Sequence, residues 1–418
     1  MTQLADALVD EGYAVVVALI DATMEDDASF AAAVCRRAAS STPGITFHTL
    51  PRIHDPPAII PSDARFLRSM PPRSIHAVVV DALSNEALDL SAASVCDEGQ
   101  PTTSFKELGD SPLDLLGVPP MPASHLNREM LEDPNGEIYQ AWMSSLGKNL
   151  EANGMLVNTF VSLEARALGA LNDPQFLPGC EFTMPPVYAV GPLLVEGPPS
   201  GDTKEKHGHK CLAWLDRQPE DSVVFLCFGS VGCHSEEQLK EIAVGLERSG
   251  HRFLWVVRAP VCDSTLVLHA DPDLDALLPE GFLERINGCG LVVKEWAPQV
   301  EVLRHKAIGA FVTHCGWNSV QEAIMAGVPM LCWPLYAEQK MNKVFMVEEF
   351  RVGVEVVGWQ QGFVKAEEVE AKVTLVLESQ GERLRVRVRA LKEAAAMAWN
   401  QAGSSRTTFG QFLLDLAE

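Results

Sequence analysis

Basic residues are scarce in this chain. Its 418 residues hold 33 Lys and Arg against 56 Asp and Glu, a formal net charge of −23. That excess repels nucleic acid and an anionic membrane surface, so neither is expected as a partner. A bound phosphate would have to be held by local groups against the overall field. An apolar run long enough to span a membrane is also lacking, as is a signal peptide ahead of the first amphipathic segment. The ten cysteines form no CxxC and no ladder of close pairs. In a chain this long that spacing suits reduced thiols and a cytoplasmic compartment rather than a disulfide framework. Neither GxGxxG nor GxxxxGK[ST] occurs, which counts against a dinucleotide fold of the usual kind and against a P-loop.

What is present is an ordinary globular composition, 47% apolar and 21% charged, at a length that suits two domains. Apolar runs without alternation recur between helical stretches, the pattern of parallel α/β sheets covered on both faces. Leu4, Ala5, Leu8 and Val9 fall at helical spacing, with Gly12 placed to stop the helix. Strands are expected at 14–20, 77–81 and 155–158 in the first half. The second half adds strands at 222–228, 253–257, 291–293, 309–312 and 328–332, a helix at 236–248 and a last helix from Ser404. Gly, Pro and charge concentrate before Lys210, marking a linker. The expected division is therefore 1–195 as one domain, 196–210 as linker, 211–403 as a second domain and 404–418 as a terminal helix returning to the first.

The stretch from Trp296 to Gln339 carries the most chemistry. A strand ending at Val312 runs through Thr313-His314-Cys315-Gly316 into a helix opening at Trp317-Asn318-Ser319. Gly316 lets backbone approach a ligand, and the helix start offers free N–H groups with partial positive charge, a ready diphosphate site. His314 adds a donor at the same place. Taken singly, Trp296 reads as a core aromatic, His314 as a structural histidine and Glu322 as a helix-surface carboxylate. Asp271, Asp273 and Asp275 match a DxD metal pattern, but they sit in an acidic, breaker-rich loop that reads as a solvated run.

The whole of that stretch, WAPQVEVLRHKAIGAFVTHCGWNSVQEAIMAGVPMLCWPLYAEQ, resembles the donor box of plant family-1 UDP-dependent glycosyltransferases. Phe225–Ser230, Leu278–Phe282 and Met155–Thr159 are similar to other landmarks of that family, so the likeness spans nearly the whole chain. It implies a GT-B architecture of two facing Rossmann-like domains and a monomer. The acceptor is taken by the first half and the UDP-sugar by the second, with no metal and no bound cofactor. It implies that Trp296 stacks on uracil while the Ala297 backbone and Gln299 read the base and ribose. His314, Gly316, Trp317, Asn318 and Ser319, with Ser230 in the turn after the 222–228 strand, would hold the diphosphate. Glu322 would take the ribose hydroxyls, and Glu338 and Gln339 the sugar, Glu338 standing where many members have Asp. The implied reaction moves a sugar, glucose foremost, from UDP to a hydroxyl of a small phenolic or flavonoid acceptor with inversion.

In that family a histidine after the first strand is the general base and an aspartate orients it. Asp81, closing the run 77–81, matches the aspartate, although a strand-end Asp also serves as a turn former or helix cap. No histidine of this chain matches the base, since Met1–Asp6 resembles the family's first helix and the expected strand would lie upstream. The junction at 94–102 also looks like an internal deletion. The resemblance thus implies an incomplete acceptor domain and a chain impaired in turnover, or one that binds UDP or its sugar without catalysis.

Overall fold

The computed structural model describes residues 2–19, 43–49, 104–150, 152–173, 176, 184–193, 210–260, 271–378 and 380–417. Asp81, the strand expected at 77–81 and the junction at 94–102 lie outside these residues. Two compact units separate. One takes Met1–Leu83, Leu193–Lys206 and Gly410–Glu418, and the other Ser84–Pro192 and His207–Phe409. The division expected near residues 195 and 211 follows composition, whereas the compact units break at Leu83, Pro192, Lys206 and Phe409.

In the first unit the helix Thr2–Asp10 buries Leu4 and Ala5. Gly12, at φ +91°, turns the chain out of it. Strand β1 (Val15–Leu19) then pairs in parallel with β2 (Ile45–Thr49), Val15 opposite Ile45.

Among the described residues the second unit holds two small pairings and one large sheet. β3 (Pro112–Leu113) and β4 (Met121–Pro122) are antiparallel, and β5 (Met155–Val157) and β6 (Val187–Ala189) are parallel. The large sheet comprises β7 (Val223–Cys227), β8 (Arg252–Val257), β9 (Gly290–Lys294), β10 (Ile308–Thr313), β11 (Met330–Cys332) and β12 (Gly353–Glu355). All its pairings are parallel, in the order β12-β11-β10-β7-β8-β9.

The unbroken apolar runs follow from burial on both faces. Val223, Phe225 and Cys227 of β7 join one core with Phe311, Met330 and Cys332. Val224 and Leu226 join the opposite core with Ala310, Val312 and Leu331. Side chains alternate across a strand, so a strand packed on both sides has no polar face to show. The flanking helix Glu236–Ser249 starts at an N-cap, Ser235, whose hydroxyl accepts from the Gln238 N–H, and ends at Gly250 in the left-handed conformation. Its apolar side, with Leu239, Ile242 and Leu246, enters the second core. Gly245 within it is required by close packing, because a Cβ there would lie 2.6 Å from both the Ala366 carbonyl and Val369.

The strand order fixes where a ligand can bind. From β7 the chain steps outward through β8 to β9, then returns to the other side of β7 and steps outward through β10, β11 and β12. The connections leaving the carboxyl ends of β7 and β10 therefore diverge, opening a crevice at the reversal.

Candidate functional site

Two turns meet at that crevice. β7 ends in Phe228-Gly229-Ser230 and β10 in His314-Cys315-Gly316. Gly229 has φ +80°, and a Cβ there would lie 2.6 Å from both Cε1 and Nε2 of His314. Gly316 has φ −64°, and its Cβ would lie 2.5 Å from the same Nε2. The imidazole thus fits between two backbone segments that only glycine allows so close. Cys315, between them, holds φ +67°, unusual for a side-chain-bearing residue. Its N–H donates to the Thr313 hydroxyl at 3.2 Å, which helps pin that conformation.

Gly316 is also the N-cap of the helix Trp317–Ala326, and it has no side chain with which to satisfy the first-turn amides. Those N–H groups and the helix dipole make the position electropositive despite the acidic whole. His314 is buried, and its Nδ1 meets no hydrogen-bond partner among the described residues. Burial pulls its pKa down to about 4. The ring is neutral near pH 7 and offers a single N–H donor, so the positive potential here belongs to the helix start. A polyanion seated beside the ring would favour its protonation.

The other residues singled out in the sequence divide by environment. Trp296 is 62% exposed, which removes the core-aromatic reading. Ala297 beside it is buried, leaving its backbone as the part able to address a ligand. Gln299 donates through Nε2 to the Ser319 hydroxyl at 3.0 Å and to Glu322 Oε2 at 2.7 Å. It thereby ties the helix Gln299–Arg304 to the helix Trp317–Ala326. Glu322 is no free surface carboxylate, because burial raises its pKa and the Gln299 bond only partly opposes this. Asn318 and Ser230 are exposed at the two turns.

Trp317 is turned inward. Its indole N–H donates to the Asn158 carbonyl at 2.9 Å, and the Gln321 side chain donates to the same oxygen. What Trp317 can present at the crevice is its backbone amide, while its ring latches the helix to the segment after β5. Gln339 is buried too. Its Oε1 accepts from the backbone N–H groups of Leu335 and Tyr336, each at 2.9 Å, so its amino group is what remains for a ligand. Glu338, half-buried, starts the helix Gln339–Val344.

The acidic loop has structural work. Asp273 caps the helix Leu274–Leu277 by accepting from Asp275 and Ala276, and Asp271 pairs with Lys294. Two residues near the site had no signal in the sequence pattern. His234 stands edge-on to Phe228 at 4.3 Å and lies 5.1 Å from Trp333, its pKa lowered by burial to about 4. Asn342 donates to the Cys315 carbonyl in the His314–Gly316 turn and is marked in the sequence only by its position four residues after Glu338.

A family described as UDP-glucoronosyl and UDP-glucosyl transferase matches residues 192–379. The anthocyanidin 5,3-O-glucosyltransferase of a Rosa hybrid cultivar is 46% identical over 305 residues, 73% of this chain and 62% of that protein. This chain thus covers less than two thirds of that relative's length. UDP-glycosyltransferase 88B1 of Stevia rebaudiana is 39% identical over 407 residues, 88% of this chain and 85% of that protein. Among solved structures, Phytolacca americana UGT2 complexed with UDP-2fluoro-glucose and pterostilbene has a TM-score of 0.83 at 30% identity. That alignment covers 100% of this chain and 96% of the other. The α/β class with a Rossmann-like parallel sheet is accordingly the GT-B class of these neighbours. With the resemblance of Trp296–Gln339, the crevice at the β7/β10 reversal and these relatives in agreement, the chain belongs to the plant family-1 UDP-glycosyltransferases.

Proposed function

We infer that this chain binds a UDP-sugar at the β7/β10 crevice and that the reaction it serves is transfer of glucose to a phenolic hydroxyl. The observation that carries the reading is His314 enclosed by Gly229 and Gly316 at an uncapped helix start. A diphosphate fits the amides of Gly316, Trp317, Asn318 and Ser319, the His314 N–H and the Ser230 turn. In this reading the exposed Trp296 ring stacks on uracil and Gln299 with Glu322 meets the ribose, which the exposure of the indole supports. Glu338 and the Gln339 amino group take the sugar. No metal is required, because the helix start supplies the positive potential. The phenolic class of acceptor is supported by the anthocyanidin relative and by the pterostilbene held by the Phytolacca structure.

In the transfer, the acceptor oxygen bonds to the anomeric carbon as that carbon's bond to the β-phosphate oxygen breaks, which inverts the centre. The acceptor proton passes to a base. Asp81 is the candidate to orient a histidine base, yet none of the eleven histidines of this chain matches that position. A positioned general base contributes about 10²–10⁴ to the rate of such a step. Donor binding and turnover therefore need separate measurements.

Calorimetry should show UDP binding to the purified chain, and no heat with UDP would overturn the donor-site reading. Acceptor-dependent release of UDP from UDP-glucose, tested with a panel of flavonoids, then decides between slow transfer and binding alone. Trp296→Ala is expected to weaken UDP by about 5- to 150-fold, the range of a lost base–aromatic stack of about 1–3 kcal/mol. Thermal stability should not move, since the ring is mostly exposed. A fall in melting temperature without a change in affinity would reject the stacking role.

A further inference from the structure

Asn342 lies where the diphosphate turn meets the sugar end of the donor site. It is 1% exposed, in the helix Gln339–Val344. Its Nδ2 lies 2.9 Å from the Cys315 carbonyl and 3.5 Å from Glu338 Oε1. Both neighbours are acceptors, so the amide must face them with its nitrogen, whose two protons serve one acceptor each. Buried as it is, the amide has these two acceptors in place of bulk water.

The first bond has a directional consequence. In a trans peptide the carbonyl and the following N–H point opposite ways. Holding the Cys315 carbonyl at Asn342 therefore turns the Gly316 N–H to the other side of the turn, away from the helix beneath. The same bond helps to hold Cys315 at φ +67°. The second bond restrains the carboxylate of Glu338, which is one methylene longer than the aspartate common at that place and has more freedom to restrain.

We propose that Asn342 is a positioning residue for the donor sugar, its amide joining the Cys315 carbonyl of the diphosphate turn to the carboxylate of Glu338. This rests on the donor-site reading above. Asn342 touches no ligand itself. It sets the spacing between the amide that meets phosphate and the carboxylate that meets sugar hydroxyls, and so acts on discrimination more than on gross affinity.

The test is calorimetry of UDP and of UDP-glucose with the full chain, its Asn342→Ala and Asn342→Ser variants, Glu338→Ala and the Asn342→Ala/Glu338→Ala double variant. Asn342→Ala should weaken UDP-glucose by about tenfold and UDP by no more than about threefold, the scale of one or two lost hydrogen bonds. Asn342→Ser keeps a donor in a smaller side chain and should fall between, which preserves the comparison where the alanine variant folds poorly. In the double variant the two losses for UDP-glucose should overlap rather than multiply. Equal weakening of UDP and UDP-glucose, or losses that multiply, would show a general structural role and overturn the proposal. Should the unaltered chain bind neither ligand, the donor-site reading falls and takes this inference with it. Binding of both with an unmoved ratio removes this inference alone.

Discussion

Gly316→Ala is expected to weaken UDP binding by about 100-fold while leaving the fold intact, on the basis that charge-assisted hydrogen bonds are worth about 1.5–3 kcal/mol each. The added Cβ would lie 2.5 Å from His314 Nε2, closer than non-bonded atoms approach. The ring cannot yield easily, because it is buried and the Gly229 backbone closes its other side. Either the imidazole leaves its place or the turn shifts, and in both cases the donors no longer converge on one diphosphate. Backbone strain is not the cause, since φ −64° suits alanine as well as glycine. Gly229→Ala should differ in kind. Its φ of +80° adds strain of about 1–3 kcal/mol, so melting temperature and affinity should fall together. Gly250→Ala, at φ +67° with nothing within 4 Å, isolates the strain and should lower stability without touching UDP binding. Unchanged UDP affinity in Gly316→Ala would remove His314 from the site.

The second large effect is in the dependence of stability on pH. Burial lowers His234 and His314 to about 4 from an ordinary 6.5, and His125 is lowered in the same sense by burial and the nearby Lys343. Between those values the unfolded chain binds protons that the folded chain refuses, so stability falls as pH drops from 6.5 towards 4. At full extent His234 and His314 each contribute roughly 3 kcal/mol to that loss. Glu164 acts oppositely. Burial, reinforced by the Glu349 carboxylate, raises it to about 7 from 4.5, so the folded chain holds the extra proton and is destabilised as pH rises through that interval. Glu164→Gln should therefore stabilise the protein by roughly 2–3 kcal/mol at pH 8 and have little effect at pH 4.5. Its acid limb should be the steeper of the two. Urea unfolding at pH 8, 6.5 and 4.5 reads all of this. A Glu164→Gln effect of equal size at every pH would rule out the raised carboxyl.

Much of the sheet was legible because its strands carry their signal locally. The run 222–228 has no polar face, which itself requires cover on both sides, and β7 lies centrally with its residues split between two cores. β12 left no such trace. It is three residues long, half-buried after Gly353 and recognisable only by pairing with β11. The compact units also escaped composition. Residues 84–192 cluster with the C-terminal half, where Trp317 and Gln321 both donate to the Asn158 carbonyl. A hydrogen bond spanning more than 150 residues leaves no periodicity to read.

The Trp296–Gln339 stretch, with its strand–turn–helix and its glycine, is a property of contiguous residues, and so its family could be named from the chain alone. Which part of each residue serves was decided by packing. Trp296 faces outward while Trp317 turns inward, though a tryptophan side chain is the same object in both places. The oxygen of Gln339 is spent on a loop, and His314 is held neutral by desolvation. Local sequence determines backbone geometry and the menu of chemical groups. Solvent exposure and the remaining hydrogen-bonding capacity depend on neighbours brought from afar, and only the tertiary structure supplies those.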